Sequence, residues 1–192
     1  MKTIKAILAT AALAVITACS SVNINTDYTQ DYDFSQLKTY SWHSSQSGDK
    51  ASLEYLGGDI FDQRTRDFAE QSLTQKGMNK VKNSPDFLIN YGVLTEDRTD
   101  INTYNTYSGY APNWRYGYYG SGYGMGASNT QTTVRHYKQG TLMIDIIDPS
   151  TDKLVWRGTA DGRLSKNMNP EERRKSLQKV VNKILDNFPP KD

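Results

Sequence analysis

Cysteine is almost missing from this 192-residue chain: Cys19 stands alone, so no internal disulfide can form. Histidine is scarce as well. His43 and His136 are the only two, on separate predicted strands, too few for the ligand clusters that hold zinc. No apolar run suffices to cross a bilayer. As a helix, Ala6 to Ala18 would reach only about 20 Å, against a hydrocarbon core of roughly 30 Å. Neither charge sign dominates once residues 1–18 are set aside. Lys2 and Lys5 go with them, leaving 21 basic and 21 acidic residues, which excludes the basic footprint of a nucleic-acid binder. The phosphate-binding pattern G-x-x-x-x-G-K-[ST] and the nucleophile elbow G-x-S-x-G are both missing. No cofactor and no metal are expected.

What is present begins at the N-terminus. Lys2 and Lys5, the apolar stretch to Ala18 and the small residues before Cys19 form a secretory signal pattern. Ile16-Thr17-Ala18-Cys19 resembles the bacterial lipobox, in which the thiol is linked to diacylglycerol and the bond before it is cut. The expected anchor is therefore a membrane held through lipid and acyl chain on Cys19; more than one chain makes such anchoring stable. Ser20, rather than aspartate, follows the cysteine. By the sorting rule of enteric bacteria, that favours the outer membrane, facing the periplasm, over the inner one. Residues 1–18 then read as the signal peptide and 19–33 as a polar tether.

Residues 34–190 read as one α+β domain. Tyr40 and Trp42 share a face of a short strand, and a Ser/Gly loop leads to a helix over 59–76, stopped at Gly77. Phe87, Ile89, Tyr91 and Val93 alternate along a strand. Leu142, Ile144 and Ile146 alternate along the first arm of a hairpin that turns at 148–152. Asp145, interleaved with them, is expected to face solvent. Asn169-Pro170-Glu171-Glu172 opens a last helix with a cap, an N1 proline and a glutamate three residues on; Leu177, Val180, Val181, Ile184, Leu185 and Phe188 make its stripe. The expected order is β-α-β-(long Tyr/Gly loop)-β-β-α: a two-layer fold, an antiparallel or mixed sheet with two helices on one face.

Four stretches, "DYDFSQLKTYSW", "KGMNKVKNSPDFLINYGV", "GTLMIDIIDPSTDKLVWRG" and "VVNKILDNFPP", resemble in order the bacterial lipoprotein family of domain of unknown function 4136. The likeness runs from about residue 27 to the C-terminus and implies a lipoprotein of α+β fold. It implies no catalytic residue.

Two features could carry chemistry. The insertion at about 101–128 holds seven tyrosines, six glycines and Trp114. Gly122 to Ala127 matches a loose G-x-G-x-x-A fingerprint, but a strand rather than a helix is predicted to follow, so no dinucleotide site is expected. Tyr104, Tyr107, Tyr110, Trp114, Tyr116, Tyr118, Tyr119 and Tyr123 form either a contact surface or a solvated insertion, and both readings stay open. The other feature is the set Asp145, Asp148, Asp152 and Asp161 in or beside the hairpin. Paired-carboxylate catalysis would need one of them buried with a raised pKa. The expectation is thus a non-enzymatic, lipid-anchored envelope domain with a binding or structural role, whose candidate partner is an envelope protein or peptidoglycan and not nucleic acid. The alternative is an envelope hydrolase built around His43, His136 and these aspartates.

Overall fold

The computed structural model describes residues 22–44, 49–106, 129–165 and 167–190. Its strands are β1 (Asn23–Tyr28), β2 (Thr39–Trp42), β3 (Asn79–Lys80), β4 (Phe87–Thr106), β5 (Asn129–Asp148) and β6 (Lys153–Arg163). Its helices are α1 (Lys50–Leu56), α2 (Asp59–Gln75) and α3 (Pro170–Leu185), with a 3-10 turn at Phe34–Gln36. One mixed sheet runs β1-β6-β5-β4-β2-β3. β1 and β5 flank β6 antiparallel, whereas β2 lies parallel to both β3 and β4. The fold class is α+β, as expected.

Local chemistry explains the long helices. At α3 the Asn169 carboxamide accepts from the N–H groups of Glu171 and Glu172, and Glu172 accepts from the Asn169 N–H at 2.9 Å. This reciprocal box satisfies amides that would otherwise lack partners in the first turn. Val181, Ile184 and Leu185 on α3 are fully buried, as is Phe188 just beyond it. They meet Phe68, Ala69 and Leu73 of α2 and the inward residues of the sheet in one core. Phe188 is its hub, its ring 5.1 Å from Trp156, 5.5 Å from Phe87 and 6.3 Å from Phe34. Gly158 of β6 permits that closeness. A Cβ there would overlap Ile184 Cγ2 and stand 2.5 Å from Trp156 Cη2.

A latch of polar groups ties α2 to the sheet. The Arg66 guanidinium lies 4.4 Å over the Trp42 ring, and Trp42 Nε1 donates to Glu70 Oε1 at 2.7 Å. Lys80 Nζ donates to the same oxygen, and the Tyr91 hydroxyl donates to Asp62 Oδ1 at 2.5 Å. Burial, then the bond to Asp62, pushes the Tyr91 hydroxyl well above its ordinary value and keeps it a donor.

Several expectations need correction. Residues 23–28, read as tether, form β1, and α1 stands where a Ser/Gly loop was expected. Residues 101–106, read as insertion, belong to β4. The chain groups into two compact units, residues up to 96 with 139 onward, and residues 97–138. Asp145 does not face solvent. It is 5 % exposed because Arg157, its register partner on β6, covers it with two bonds of 2.7 Å. Among the described residues no helix is long and apolar enough to cross a membrane.

Candidate functional site

The first unit contains a cavity of about 620 Å³, walled by helices and floored by the sheet. One wall is the corner between α1 and α2. Asp49 caps α1 by accepting from the N–H and hydroxyl of Ser52, both at 2.8 Å. Those bonds, the hydroxyl first, hold the Asp49 carboxyl below its ordinary value. The Ser52 hydroxyl in turn accepts from Thr95 N–H at 2.8 Å, which fixes α1 to β4. Gly57 and Gly58, at φ 129° and 58°, then break the helix where L side chains rarely go. The turn they make delivers Tyr55 and Leu56 from α1, and Ile60, Phe61 and Arg64 from α2, to the same wall.

Val93, Leu142 and Ala160 contribute to the floor, beside Gly140 and Gly162. These two glycines face each other across β5 and β6. Gly140 lets the chain leaving β6 fold close: a Cβ there would stand 2.8 Å from Leu164 Cδ2. The far wall comes from α3 and the segment before it, with Met168, Arg173, Ser176, Leu177 and Val180. Tyr55 and Ile60 remain 50 % and 60 % exposed, so apolar surface continues out of the cavity instead of ending in the core.

Among the described residues the lining contains three arginines, Arg64, Arg163 and Arg173, and no aspartate, glutamate, histidine or cysteine. Such a lining can bind: among the described residues it offers apolar side chains, guanidinium groups and the hydroxyls of Thr141, Ser165 and Ser176, and no carboxylate, imidazole or thiol. Among the described residues no group of three or more His, Cys, Asp or Glu side chains could hold a metal ion.

The residues singled out in the sequence are elsewhere. Cys19, Tyr107, Tyr110, Trp114, Tyr116, Tyr118, Tyr119 and Tyr123 lie outside the described residues, as does the Gly122–Ala127 fingerprint. Tyr104 is on β4 in the second unit and 64 % exposed. His43 Nε2 is 3.3 Å from Asp152, and His136 Nδ1 is 3.0 Å from the Thr99 hydroxyl. Of the remaining hairpin aspartates, Asp145 holds Arg157, and Asp161 accepts from the Thr141 hydroxyl at 2.6 Å. Asp148 accepts from the Ser150 N–H and hydroxyl and the Thr151 hydroxyl. The Ser150 N–H foremost holds its carboxyl below the ordinary value, the opposite of what a general acid needs.

Two solved structures are similar to this chain at low identity. A PDZ domain protein from Parabacteroides distasonis matches with a TM-score of 0.50 at 18 % identity, over 90 % of this chain. This chain spans only 36 % of that protein's length. The PelC dodecamer from Paraburkholderia phytofirmans gives a TM-score of 0.47 at 10 % identity, over 90 % of this chain and 100 % of that one. No curated protein matches the chain in sequence. Residues 24–190 match the family described as Domain of unknown function (DUF4136), and the chain belongs to that family.

Proposed function

We propose that this chain is a lipid-anchored, non-catalytic binding domain of the bacterial envelope, and that the cavity between α1, α2, α3 and the sheet is its binding site. The observation that carries the reading is the composition of that lining among the described residues: apolar walls and arginines, with no carboxylate, histidine or cysteine. A volume of about 620 Å³ suits one small ligand, since such sites run about 300–1,000 Å³. The lipobox pattern ending at Cys19 supports the anchor, and Ser20 supports an outer-membrane address facing the periplasm. No observation favours the hydrolase alternative: His43 and His136 each have a local partner, and the four aspartates are engaged by donors.

A neutral fluorescent probe of apolar sites, such as N-phenyl-1-naphthylamine, tests the cavity. Ser176→Phe and Gly162→Leu fill it from opposite sides. Both should abolish saturable probe binding while leaving the circular dichroism spectrum and melting temperature near those of the parent. Saturable binding that survives in two folded, filled variants would refute the site. The anchor is tested separately: Cys19→Ala should leave an unprocessed precursor, and an unchanged mature band would sink the lipobox reading.

A further inference from the structure

We infer that the cavity's ligand is a single amphiphile with an apolar chain and an anionic headgroup, a carboxylate or phosphate, taken up as a free molecule. The inference rests on the cavity being the binding site. The chain as a whole is nearly balanced, with a formal net charge of +2, yet three arginines and no acid line this one space. They arrive from three separate elements: Arg64 from α2, Arg163 from the end of β6 and Arg173 from α3. Arg64 is half-buried and has no hydrogen bond or ion pair among the described residues. Arg173 spends only its Nε, on the Met168 carbonyl at 3.0 Å, and no carboxylate pairs with it among the described residues. By contrast, Arg66 is paired with Asp62, Arg157 with Asp145 and Arg174 with Glu171.

Arg64 and Arg173 bring two like charges beside apolar walls with no paired carboxylate among the described residues, an arrangement that a bound anion would complete. Guanidinium groups are built to take that anion, because their planar forks match carboxylate and phosphate oxygens two at a time. The apolar half of the ligand is specified by Leu56, Phe61, Leu177 and Val180, half-buried and ready to lose their remaining water. Ile60 and Tyr55 extend that surface outward along a chain. A purely polar anion would leave those walls wet, and a purely apolar molecule would bury the Arg64 guanidinium without a counter-ion.

The experiment is competition for the neutral probe in the full chain carrying Cys19→Ala, using monomeric amphiphiles of one chain length. Laurate and lauryl phosphate are compared with a neutral dodecyl maltoside and with dodecyltrimethylammonium. The same chain with Ser176→Phe subtracts any binding outside the cavity. The anionic pair should compete at concentrations about tenfold or more lower than the neutral one, the scale of one charge-assisted hydrogen bond, and the cation should compete least. Arg64→Gln with Arg173→Gln should erase the preference, so that the anionic pair competes only at the concentrations at which the neutral amphiphile does. Equal competition by all headgroups, or a preference that survives the double variant, overturns the inference while leaving the cavity as an apolar site. Failure of the probe itself to bind the cavity refutes the site instead. Binding only to anionic vesicles, never to monomers, would replace the free ligand with a membrane surface. If the probe enters the Cys19→Ala chain but is shut out of the wild-type chain, the occupant is the chain's own acyl group and the inference falls.

Discussion

Strands β4 and β5 are each 20 residues long, and each is made of two different materials. In the first unit they carry Phe87, Ile89, Tyr91 and Val93 and Leu142, Ile144 and Ile146, none more than 6 % exposed. In the second unit the same two strands carry Ile101, Tyr104 and Val134 at 66, 64 and 51 % exposure among threonines and charged residues. The difference shows that backbone pairing and core formation are separate achievements. An isolated two-stranded ribbon is marginal in water, so the outer one depends on cross-strand side chains. Among these are Thr99 with His136, Thr103 with Thr132 and Asp97 with Lys138. The inner halves share a core with two helices.

The largest effect should come from the centre of that core. Phe188→Ala removes a fully buried ring that meets Trp156, Phe87 and Phe34, and should cost about 3–5 kcal/mol in urea denaturation. Ile101→Ala, an equally apolar truncation in the ribbon, should stay within about 0.5 kcal/mol. Similar losses for the two would break the distinction between the units. Overfilling the core is the next step down. Gly158→Ala puts a methyl where Ile184 and Trp156 already stand, and should cost about 1–3 kcal/mol by the same measurement.

The pattern of what the sequence discloses follows the same division. α2 and α3 are legible because caps, an N1 proline and an apolar stripe coincide on them, and the inner halves of β4 and β5 because burial on one face writes an alternation. β1 is not legible, since it is held by its backbone to β6 and five of its six side chains are exposed. A strand without a buried face leaves no period to read. α1 is one short helix with a single buried residue, Ser52, although Asp49 three residues before it was the signal available. Asp145 shows a subtler limit. Its alternation is right, on the face opposite Leu142, Ile144 and Ile146, but only the register with β6 puts Arg157 over it. The cavity is hardest of all, because its lining comes from Val22, the α1–α2 corner, three strands and α3, which no local window spans.

A smaller effect separates the units by pH. The Asp86 carboxylate accepts from the N–H groups of Lys38 and Thr39 and from the Thr39 hydroxyl, clamping the start of β2 in the first unit. The Lys38 N–H foremost, then the Thr39 donors, holds this carboxyl below its ordinary value. A folded-state pKa below the unfolded one gives stability that is complete above about 3.9, the ordinary aspartate value. It is lost as the pH falls from there through the folded value. Asp86→Asn should therefore be less stable than the parent at neutral pH, with the gap closing as the solution is acidified through that window. A gap that does not change with pH would assign the clamp to shape rather than charge.

The smallest effect belongs to the ribbon and needs a local probe. Lys138 Nζ stands 3.0 Å from Asp97 Oδ1, whose side chain is 83 % exposed. An ion pair so open to water is worth only about 0.2–1 kcal/mol. Lys138→Ala should leave the global urea midpoint unchanged, because the ribbon can open without the core. It should instead raise amide hydrogen exchange along residues 97–104 and 130–138, and spare the amides of 87–93 and 142–146. Added salt should shrink the difference, since the screening length falls to about 3 Å at 1 M. If exchange rises equally in both sets, the ribbon and the core open together. The two halves of β4 and β5 would then form one cooperative unit despite their different chemistry.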